Sequence, residues 1–336
     1  MTRRQQALVM LGLLISIVFL WFAFRDLRPG DVINELQDVN VVWLLVAAAV
    51  YFIAVAIITV RWQFLLRAVK FIPLGRLFPL VCIGYMGNNV YPFRSGEALR
   101  IFLLNRNERV PVIKATTTVL VERVFDGIVM LTFIVVPLSF VEVASNEMQR
   151  VATFAAPIFL AALAVFFVLA AQPNLLRALV KQIKRLLPGK LEAIVDKISE
   201  EVISGLEGLR SPAHLAGTVL SSYTTWAVEA GVYWIVSWAF DLGTSYAVML
   251  LVVGTVNLAG LIPASPGQIG VFEFFVSAVL VGVGISETNA LTYAIVVHIV
   301  IWLPVTLAGF AFLARQGLGW QSITRAREME EKAVIG

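Results

Sequence analysis

The chain has 336 residues, of which 59% are hydrophobic and only 14% charged, and its formal net charge is +4. Its mean hydropathy of +0.86 exceeds that of soluble globular proteins, and its long apolar runs lack the alternation of outer-membrane barrel strands. The composition predicts an all-α polytopic membrane protein of the cell membrane, without a nucleic-acid partner. The single cysteine, Cys82, has no disulfide partner and is expected to pack as a small apolar residue.

The first predicted span covers residues 7–24 and follows the basic pair Arg3 and Arg4. This run is longer than the apolar region of a usual signal peptide, and no Ala-x-Ala cleavage site follows it. We therefore expect a retained helix. The next segment, residues 25–40, is acidic and is expected to lie outside the cell.

Further apolar runs are long enough to cross a bilayer as helices. They cover residues 41–60, 115–140, 151–171, 215–240 and 290–313. Two shorter runs, 77–90 and 246–262, lead into segments broken by Pro and Gly. Between residues 172 and 214, apolar residues recur at helical spacing in a basic context, which predicts an amphipathic helix or an ordinary cytoplasmic loop.

Loop charge predicts the orientation, because Lys and Arg accumulate on the cytoplasmic side. Basic segments at both termini, at 61–76 and at 172–214 are expected inside, and the segments at 141–150 and around Asp241 outside. We expect both termini in the cytoplasm.

The two broken segments are the most informative feature of the chain. We call residues 87–97 the first break and residues 257–273 the second break. A bilayer cannot satisfy a broken backbone, so such segments are tolerated only where protein or a wet cavity meets them. If the basic stretch formed by Arg100, Arg106, Arg109 and Lys114 is cytoplasmic, residues 77–104 form a re-entrant hairpin. Residues 246–284 form either a second re-entrant hairpin or two full crossings.

If both hairpins are re-entrant, each half of the chain contains a span, a broken hairpin and a second span, and the two halves have opposite orientations in the membrane. This predicts an inverted repeat with a transport site near the midplane. The expected organisation is a single transmembrane domain with the following segments: first span and outer loop 1–40, repeat 1 at 41–140, additional span and cytoplasmic connector 141–214, repeat 2 at 215–313, and cytoplasmic tail 314–336.

The breaks also predict a chemistry. Helices that begin near Gly96 and Gly270 would direct unpaired N–H groups and a positive dipole end into the membrane interior, which suits a phosphate group. Arg94 and Arg100 add guanidinium donors. The alternative is that Arg94 and Glu97 form a structural pair at the cytoplasmic interface.

Ionisable side chains inside predicted spans are expensive and therefore informative. Glu229, Glu273 and His298 each need a partner or a wet cavity, and Glu229 or Glu273 could couple transport to proton movement. His298 could equally be a hydrogen-bonded interior histidine. Glu122 and Asp126 share a helix face, where Arg123 can reach Asp126, so this trio could be structural.

Three segments carry a family resemblance: 92–100 (PFRSGEALR), 122–126 (ERVFD) and 263–273 (PASPGQIGVFE). They resemble the flippase-like transmembrane domain that forms the membrane half of the lysylphosphatidylglycerol synthases. The resemblance covers nearly the whole chain. One departure is Gln268, where a second glycine often follows Pro-Gly, so the backbone at this break is expected to differ.

The resemblance implies movement of an anionic or modified lipid between leaflets. It gives headgroup-binding roles to a first group of residues: Arg94, Glu97, Arg100, Glu122, Arg123, Asp126 and Glu273. The breaks and the buried ionisable groups add further candidates: Asn88, Asn89, Glu229, Pro266, Gly267, Gly270 and His298. The aminoacyl-transferring domain of the bifunctional relatives is not expected here, since the 22 residues after Ala314 are too few for one.

We expect a lipid transporter of the flippase or scramblase type that works by alternating access and uses no metal or cofactor. No zinc-ligand set, Gly-x-Ser-x-Gly motif or phosphate loop occurs. One alternative is a membrane enzyme, or an accessory to one, that acts on lipid-linked sugar or prenyl phosphate through Glu229, Glu273 and His298. Another is a structural partner subunit. Small residues such as Gly282 and Gly284 leave a homo-oligomer open.

Overall fold

The computed structural model describes residues 3–25, 29–67, 69–91, 95–141 and 212–316, together with residues 177, 178 and 180–182. Every regular element within these ranges is a helix. The predicted span at 151–171, the amphipathic part of the connector and Arg94 lie outside the described residues.

Six helices make up the described part of the first half. They are α1 (Arg3–Phe24), α2 (Pro29–Gln37), α3 (Val41–Leu66), α4 (Leu74–Val90), α5 (Gly96–Glu108) and α6 (Val112–Leu138). Asn40 begins α3, because its side-chain oxygen accepts a hydrogen bond of 3.1 Å from Val42 N–H. Helix α3 continues past the predicted end at residue 60, since the apolar run resumes directly after Arg61.

The second half has the same order of long and short helices. It contains α7 (Pro212–Ala239), α8 (Tyr246–Ala259), a 3₁₀ turn (Pro266–Gln268), α9 (Val271–Gly282) and α10 (Glu287–Arg315). Ser245 and Ser286 act as N-caps of α8 and α10 through their side-chain oxygens. Helices begin next to Gly96 and Gly270, as the two breaks predict.

Helix length separates two groups. Helices α3, α6, α7 and α10 have 26, 27, 28 and 29 residues, more than the roughly 20 that cross a bilayer. Helices α4, α5, α8 and α9 have 17, 13, 14 and 12 residues and are too short to do so alone. Among the described residues, Val41–Leu66 and Glu287–Arg315 are both long and apolar enough for a span.

The long helices hold the short ones in place. Helix α3 packs along α7, α4 packs on α10, and α8 packs on α6. Glycines allow the last two contacts: a Cβ atom built on Gly309 would lie 2.6 Å from Cys82 O, and one built on Gly254 would lie 2.8 Å from Met130 O. The two broken hairpins, α4–α5 and α8–α9, therefore lie between the long helices, and α1 packs against α9.

The two ends of the α4–α5 hairpin lie together. Glu108, the last residue of α5, accepts a hydrogen bond of 2.8 Å from Lys70 Nζ and one of 3.2 Å from Arg76 Nη1. Lys70 precedes α4, and Arg76 belongs to its first turn. The chain thus enters and leaves this hairpin at the same end.

Candidate functional site

A cavity of about 650 Å³ lies between the two breaks. Residues of both breaks form its wall, together with side chains of the long helices α3, α6, α7 and α10. Most of the residues that the sequence predicts for the site line it: Asn88, Asn89, Glu97, Arg100, Arg123, Asp126, Glu229, Pro266, Gly267 and His298. The breaks and the buried ionisable groups, which are far apart in the chain, therefore meet in one place.

Three predicted residues stand behind this wall. Glu122 is 1% exposed and lies beneath Arg100, while Glu273 lies behind His298, to which it is hydrogen-bonded. Gly270 contacts α1 instead, since a Cβ atom built on it would lie 2.5 Å from Ser16 O. Glu122 and Glu273 therefore contact residues of the cavity wall, Arg100 and His298, without lining the cavity themselves.

A buried ion cluster forms one side of the cavity, and Arg61 is its centre. Its Nη1 atom lies 2.6 Å from Asp126 Oδ1, and its Nη2 atom lies 2.8 Å from Glu122 Oε1. Both pairs are withdrawn from solvent, because Arg61 and Glu122 are each 1% exposed. A buried pair of this kind is strongly destabilised when one partner is removed, since the other charge stays buried.

The loop-charge pattern predicts Arg61 in a cytoplasmic loop, and this prediction is wrong. Arg61 belongs to α3, and its side chain is fully enclosed. The signal in the sequence is the apolar run on both sides, Ile57 to Val60 before it and Phe64 to Leu66 after it. An arginine with apolar sequence on both sides indicates a buried ion pair as readily as the end of a span.

Arg100 and Arg123 connect the cluster to the cavity. Arg100 Nη2 lies 3.1 Å from Glu122 Oε2, and its guanidinium carbon lies 4.3 Å from the centre of the Trp62 ring. Arg123 is the most accessible of the three arginines, with 36% of its side chain exposed. It lies 3.3 Å from Asp126, which confirms the predicted contact, and 3.1 Å from Glu122.

The first break is held by amide side chains. Asn88 Oδ1 accepts a hydrogen bond of 3.0 Å from Gly96 N–H, at the beginning of α5. Asn89 Nδ2 donates to Thr306 Oγ1 of α10 at 2.8 Å. Glu97 lies in the first turn of α5, and its carboxylate is 3.6 Å from Arg123 Nε. Asn88 and Glu97 thus fix the N-terminus of α5 at the cavity wall.

The second break depends on left-handed backbone. Gly267, Gln268 and Gly270 have φ angles of 70°, 61° and 91°, a region that favours glycine. Gln268 therefore places a side chain at a left-handed position where relatives often have glycine. The Nε2 atom of Gln268 donates a hydrogen bond of 3.4 Å to Gly260 O. A Cβ atom built on Gly267 would lie 3.2 Å from Asn89 O, so this glycine lets the two breaks touch.

Glu273 uses both of its oxygens inside the protein. Oε2 accepts a hydrogen bond of 2.6 Å from Gly270 N–H, and Oε1 lies 2.6 Å from His298 Nδ1. Phe272 stacks on the His298 ring with centroids 4.1 Å apart. The carboxylate therefore caps α9 and orients His298, whose ring forms part of the cavity wall.

Glu229 is in a different position. Its side chain is 5% exposed and lines the cavity, and no hydrogen bond or ion pair to a described residue holds it. It shares the cavity wall with Asp126 and with three tyrosines: Tyr51, Tyr85 and Tyr233.

Several aromatic residues of the site were not predicted from the sequence. Trp226 Nε1 donates a hydrogen bond of 2.7 Å to Asp126 Oδ1, and Trp302 lies beside Gly267. Apolar spans contain many aromatic residues, so the sequence does not single these out. Among the described residues, no group of three or more His, Cys, Asp or Glu side chains could hold a metal ion.

Comparison with known proteins agrees with the motifs. Residues 9–309 match the family described as the lysylphosphatidylglycerol synthase TM region. The chain belongs to this family. The match spans both breaks and the ion cluster, and it confirms the resemblance that the three motifs indicate. This is accordingly a membrane protein of that family.

The chain is similar to several archaeal proteins. It is 24% identical over 325 residues to the glycosyltransferase AglD of Haloferax volcanii, covering 87% of this chain and 52% of that protein. It is 21% identical to a UPF0104 membrane protein of Pyrococcus horikoshii (94% of this chain, 98% of that protein) and 24% identical to one of Methanothermobacter thermautotrophicus (89% and 93%). The chain thus spans about half the length of the glycosyltransferase. No solved structure matches.

Proposed function

We propose that this protein moves an anionic or phosphorylated lipid between the leaflets of the cell membrane, with the headgroup in the cavity between the two breaks. The observation that carries the proposal is the meeting of both breaks and two arginines, Arg100 and Arg123, around one cavity of about 650 Å³. That volume is within the range of pockets that hold small molecules. The proposal assigns no catalytic role to the chain.

Unused donors support an anionic headgroup. Arg100 Nε and Arg123 Nε are buried and make no hydrogen bond to a described residue, although Arg123 Nε lies 3.6 Å from the Glu97 carboxylate. The contact between Arg123 and Glu97 is also the longest ion pair of the cluster, at 3.6 Å. A phosphate oxygen would satisfy these donors and displace Glu97 from Arg123.

Reciprocal packing supports an inverted repeat. If α3 to α6 correspond to α7 to α10, the contact of α4 with α10 and the contact of α8 with α6 exchange under a twofold axis. The contact of α3 with α7 maps onto itself. The meeting of Glu108 with Lys70 and Arg76 supports a re-entrant first hairpin. Alternating access then follows from one repeat rocking against the other.

The orientation is part of the proposal, with both termini in the cytoplasm. The chain offers a direct test, because its single cysteine, Cys82, is buried and replaceable by alanine. Single cysteines introduced at the exposed residues Arg106 and Asp241 in that background would be labelled from opposite sides of a sealed vesicle. Labelling of both from the same side would contradict the proposed orientation.

The transport test uses purified protein in vesicles that contain a fluorescent phosphatidylglycerol. Fluorophore that reaches the outer leaflet is quenched by dithionite, so the rate of movement is read directly. Arg123→Gln is expected to lower this rate about tenfold or more, because a hydrogen bond to a charged group contributes about 1.5 to 3 kcal/mol. Arg123→Lys, which keeps the charge, is expected to lose less.

A fold control accompanies this test, since Arg123 also contacts Glu122 and Asp126. Each variant must elute as the wild type does and keep its thermal unfolding transition within a few degrees. Equal rates in wild-type, Arg123→Gln and protein-free vesicles would overturn the proposal. A Gln variant that moves lipid as fast as the wild type would remove Arg123 from the site.

A second candidate is a membrane partner or enzyme for lipid-linked sugar or prenyl phosphate. One observation favours it: a similar protein of Haloferax volcanii is named a glycosyltransferase. Mass spectrometry of lipids that co-purify with the wild type and with Arg123→Gln separates the two candidates. Selective loss of a phospholipid in the variant supports transport of that phospholipid, whereas loss of a prenyl-phosphate sugar supports the second candidate.

A further inference from the structure

Among the described residues, one carboxylate at the cavity has no basic partner. Among the described residues, three arginines face three carboxylates in the ion cluster: Arg61, Arg100 and Arg123 against Glu97, Glu122 and Asp126. Glu273 is paired with His298. Glu229 lines the same cavity, is 5% exposed and has no basic partner within the described ranges.

From this geometry we infer that Glu229 takes up a proton when an anionic headgroup binds in the cavity. The inference rests on the proposed function, because it requires an anionic cargo. A negative headgroup beside an ionised Glu229 would place two like charges in a space largely withdrawn from water, and a proton on Glu229 removes that repulsion. Binding of the headgroup and binding of the proton therefore favour each other.

Among the described residues around Glu229, every basic group is already paired with another carboxylate. Helices α3, α6, α8 and α10 pack against α7, which carries Glu229. Their titratable and charged groups that contact α7 or line the cavity are Tyr51, Arg61, Arg123, Asp126, Tyr246, Tyr293 and His298. Tyr85 of α4, Glu97 and Arg100 of α5 and Tyr233 of α7 itself line the cavity as well, and Arg100 is paired with Glu122. Arg61 and Arg123 are held by Glu122 and Asp126, and His298 by Glu273.

Glu273 is the other carboxylate that the sequence suggests for proton coupling, and its contacts argue against it. Both of its oxygens are engaged, one by Gly270 N–H and one by His298. It also lies behind His298, away from the space that a headgroup would occupy. Cargo in the cavity therefore changes the surroundings of Glu229 more than those of Glu273.

The direction of the pH effect follows from the charge. A proton on Glu229 makes the cavity less negative, so an anionic headgroup binds more tightly at low pH. As the pH rises through the titration of Glu229, affinity falls by up to about tenfold per pH unit, the limit for linkage to one proton.

The test measures binding of dioctanoyl phosphatidylglycerol to the purified full chain in detergent, from about pH 4 to about pH 9, a range that begins at the ordinary pKa of a glutamate. The phosphodiester of this probe keeps one negative charge over that range, so its own titration does not contribute. Trp226 and Trp302 line the cavity, and their fluorescence provides the signal. Calorimetry in two buffers of different ionisation enthalpy counts the protons taken up.

The wild type is expected to lose affinity toward high pH and to take up at most one proton per headgroup, in the pH range where the affinity changes. Glu229→Gln is expected to bind with a flat pH profile at the affinity of the wild type at low pH. Glu108→Gln, which removes a carboxylate outside the cavity, is the matched control and is expected to keep the wild-type profile.

Three results would overturn the inference. The first is a pH-independent affinity in the wild type, which would exclude proton uptake by Glu229 and leave the proposed function intact. This result requires no variant. A Glu229→Gln variant that keeps the wild-type profile would assign the proton to another group. Absence of phosphatidylglycerol binding at every pH would remove the anionic cargo, and the proposed function would fail together with the proton uptake.

Discussion

The two broken hairpins share a shape but differ in what stabilises them. The first, α4–α5, is surrounded by charge: α5 carries Glu97 and Arg100, and Glu108 ties its far end to Lys70 and Arg76. The second, α8–α9, has one ionisable side chain near its break, Glu273, which caps α9. Its break is formed by left-handed backbone at Gly267, Gln268 and Gly270.

This difference indicates that the two hairpins have different roles at the cavity. The first hairpin brings Arg100 to the cavity, and its Glu97 lies 3.6 Å from Arg123 of α6, the second guanidinium group that would contact an anionic headgroup. The second lines the cavity with backbone and uncharged side chains and contacts α1, where Ser265 N–H donates to Ser16 Oγ at 2.9 Å. Substitutions in the first half should therefore act through charge, and those in the second half through backbone and capping.

The largest effect is expected at Arg61. Arg61→Met leaves Glu122 and Asp126 buried without their central partner, and breaking such a pair destabilises a protein by about 3 to 5 kcal/mol. Thermal unfolding of the purified protein in detergent measures the loss. Arg67→Met, at the exposed end of the same helix, is the matched control and should change stability by less than about 0.5 kcal/mol. Equal transitions for both variants would contradict the assigned role of the cluster.

The next effect is expected where α4 and α5 approach each other. A Cβ atom built on Gly96 would overlap Gly84 O and lie 2.5 Å from Asn88 N. Gly96→Ala should therefore force the helices apart at a cost of about 1 to 3 kcal/mol, seen as a lower unfolding temperature. Gly231→Ala, where a Cβ atom would meet nothing within 4 Å, should be neutral or stabilising. An unchanged Gly96→Ala protein would mean that the two helices are not so closely packed.

The capping of α9 gives a smaller effect in the second hairpin. Glu273→Ala removes the acceptor of Gly270 N–H, and loss of such a cap is worth about 0.5 to 2 kcal/mol. Glu273→Gln keeps one acceptor oxygen and should lose less stability. Thermal unfolding of the two variants side by side is the measurement. If Gln proves worse than Ala, the contact with His298 rather than the cap is the important one.

The smallest effect is expected at the far end of the first hairpin. The hydrogen bond from Lys70 holds the pKa of Glu108 below its usual value, with a further contribution from Arg76. Since this pKa is depressed in the folded protein, the stabilisation is present near neutral pH and is lost as the pH falls through the folded-state pKa, below about 4.5. Lys70 and Arg76 are substantially exposed, so the pair contributes less than about 1 kcal/mol.

Glu108→Gln should therefore lower the unfolding temperature slightly at neutral pH and have no effect in acid. Unfolding of wild type and variant across an acid pH series checks this sign. A difference that grows toward low pH would contradict the ion pair.

Local features of the fold were predictable from the sequence, and long-range pairings were not. Glycine and proline mark helix boundaries locally, which is why the beginnings of α5 and α9 were placed correctly at Gly96 and Val271. The cluster joins Arg61 to Glu122 and Asp126 across 61 and 65 residues, and Trp226 to Asp126 across 100. The loop-charge rule counts basic residues and ignores the acidic residues that pair with them. It therefore places Arg61 in a loop, although Arg61 pairs with Glu122 and Asp126 inside the protein.

The sequence by itself determined the membrane class, the two breaks and the identity of most groups around the cavity. It did so because burial in lipid excludes charge and broken backbone unless they are needed. Only the tertiary structure decided which charges pair, since α3, α5 and α6 must pack before Arg61, Arg100 and Glu122 can meet. The same packing left Glu229 without a basic partner among the described residues, while Glu273, an equal candidate in the sequence, became a helix cap.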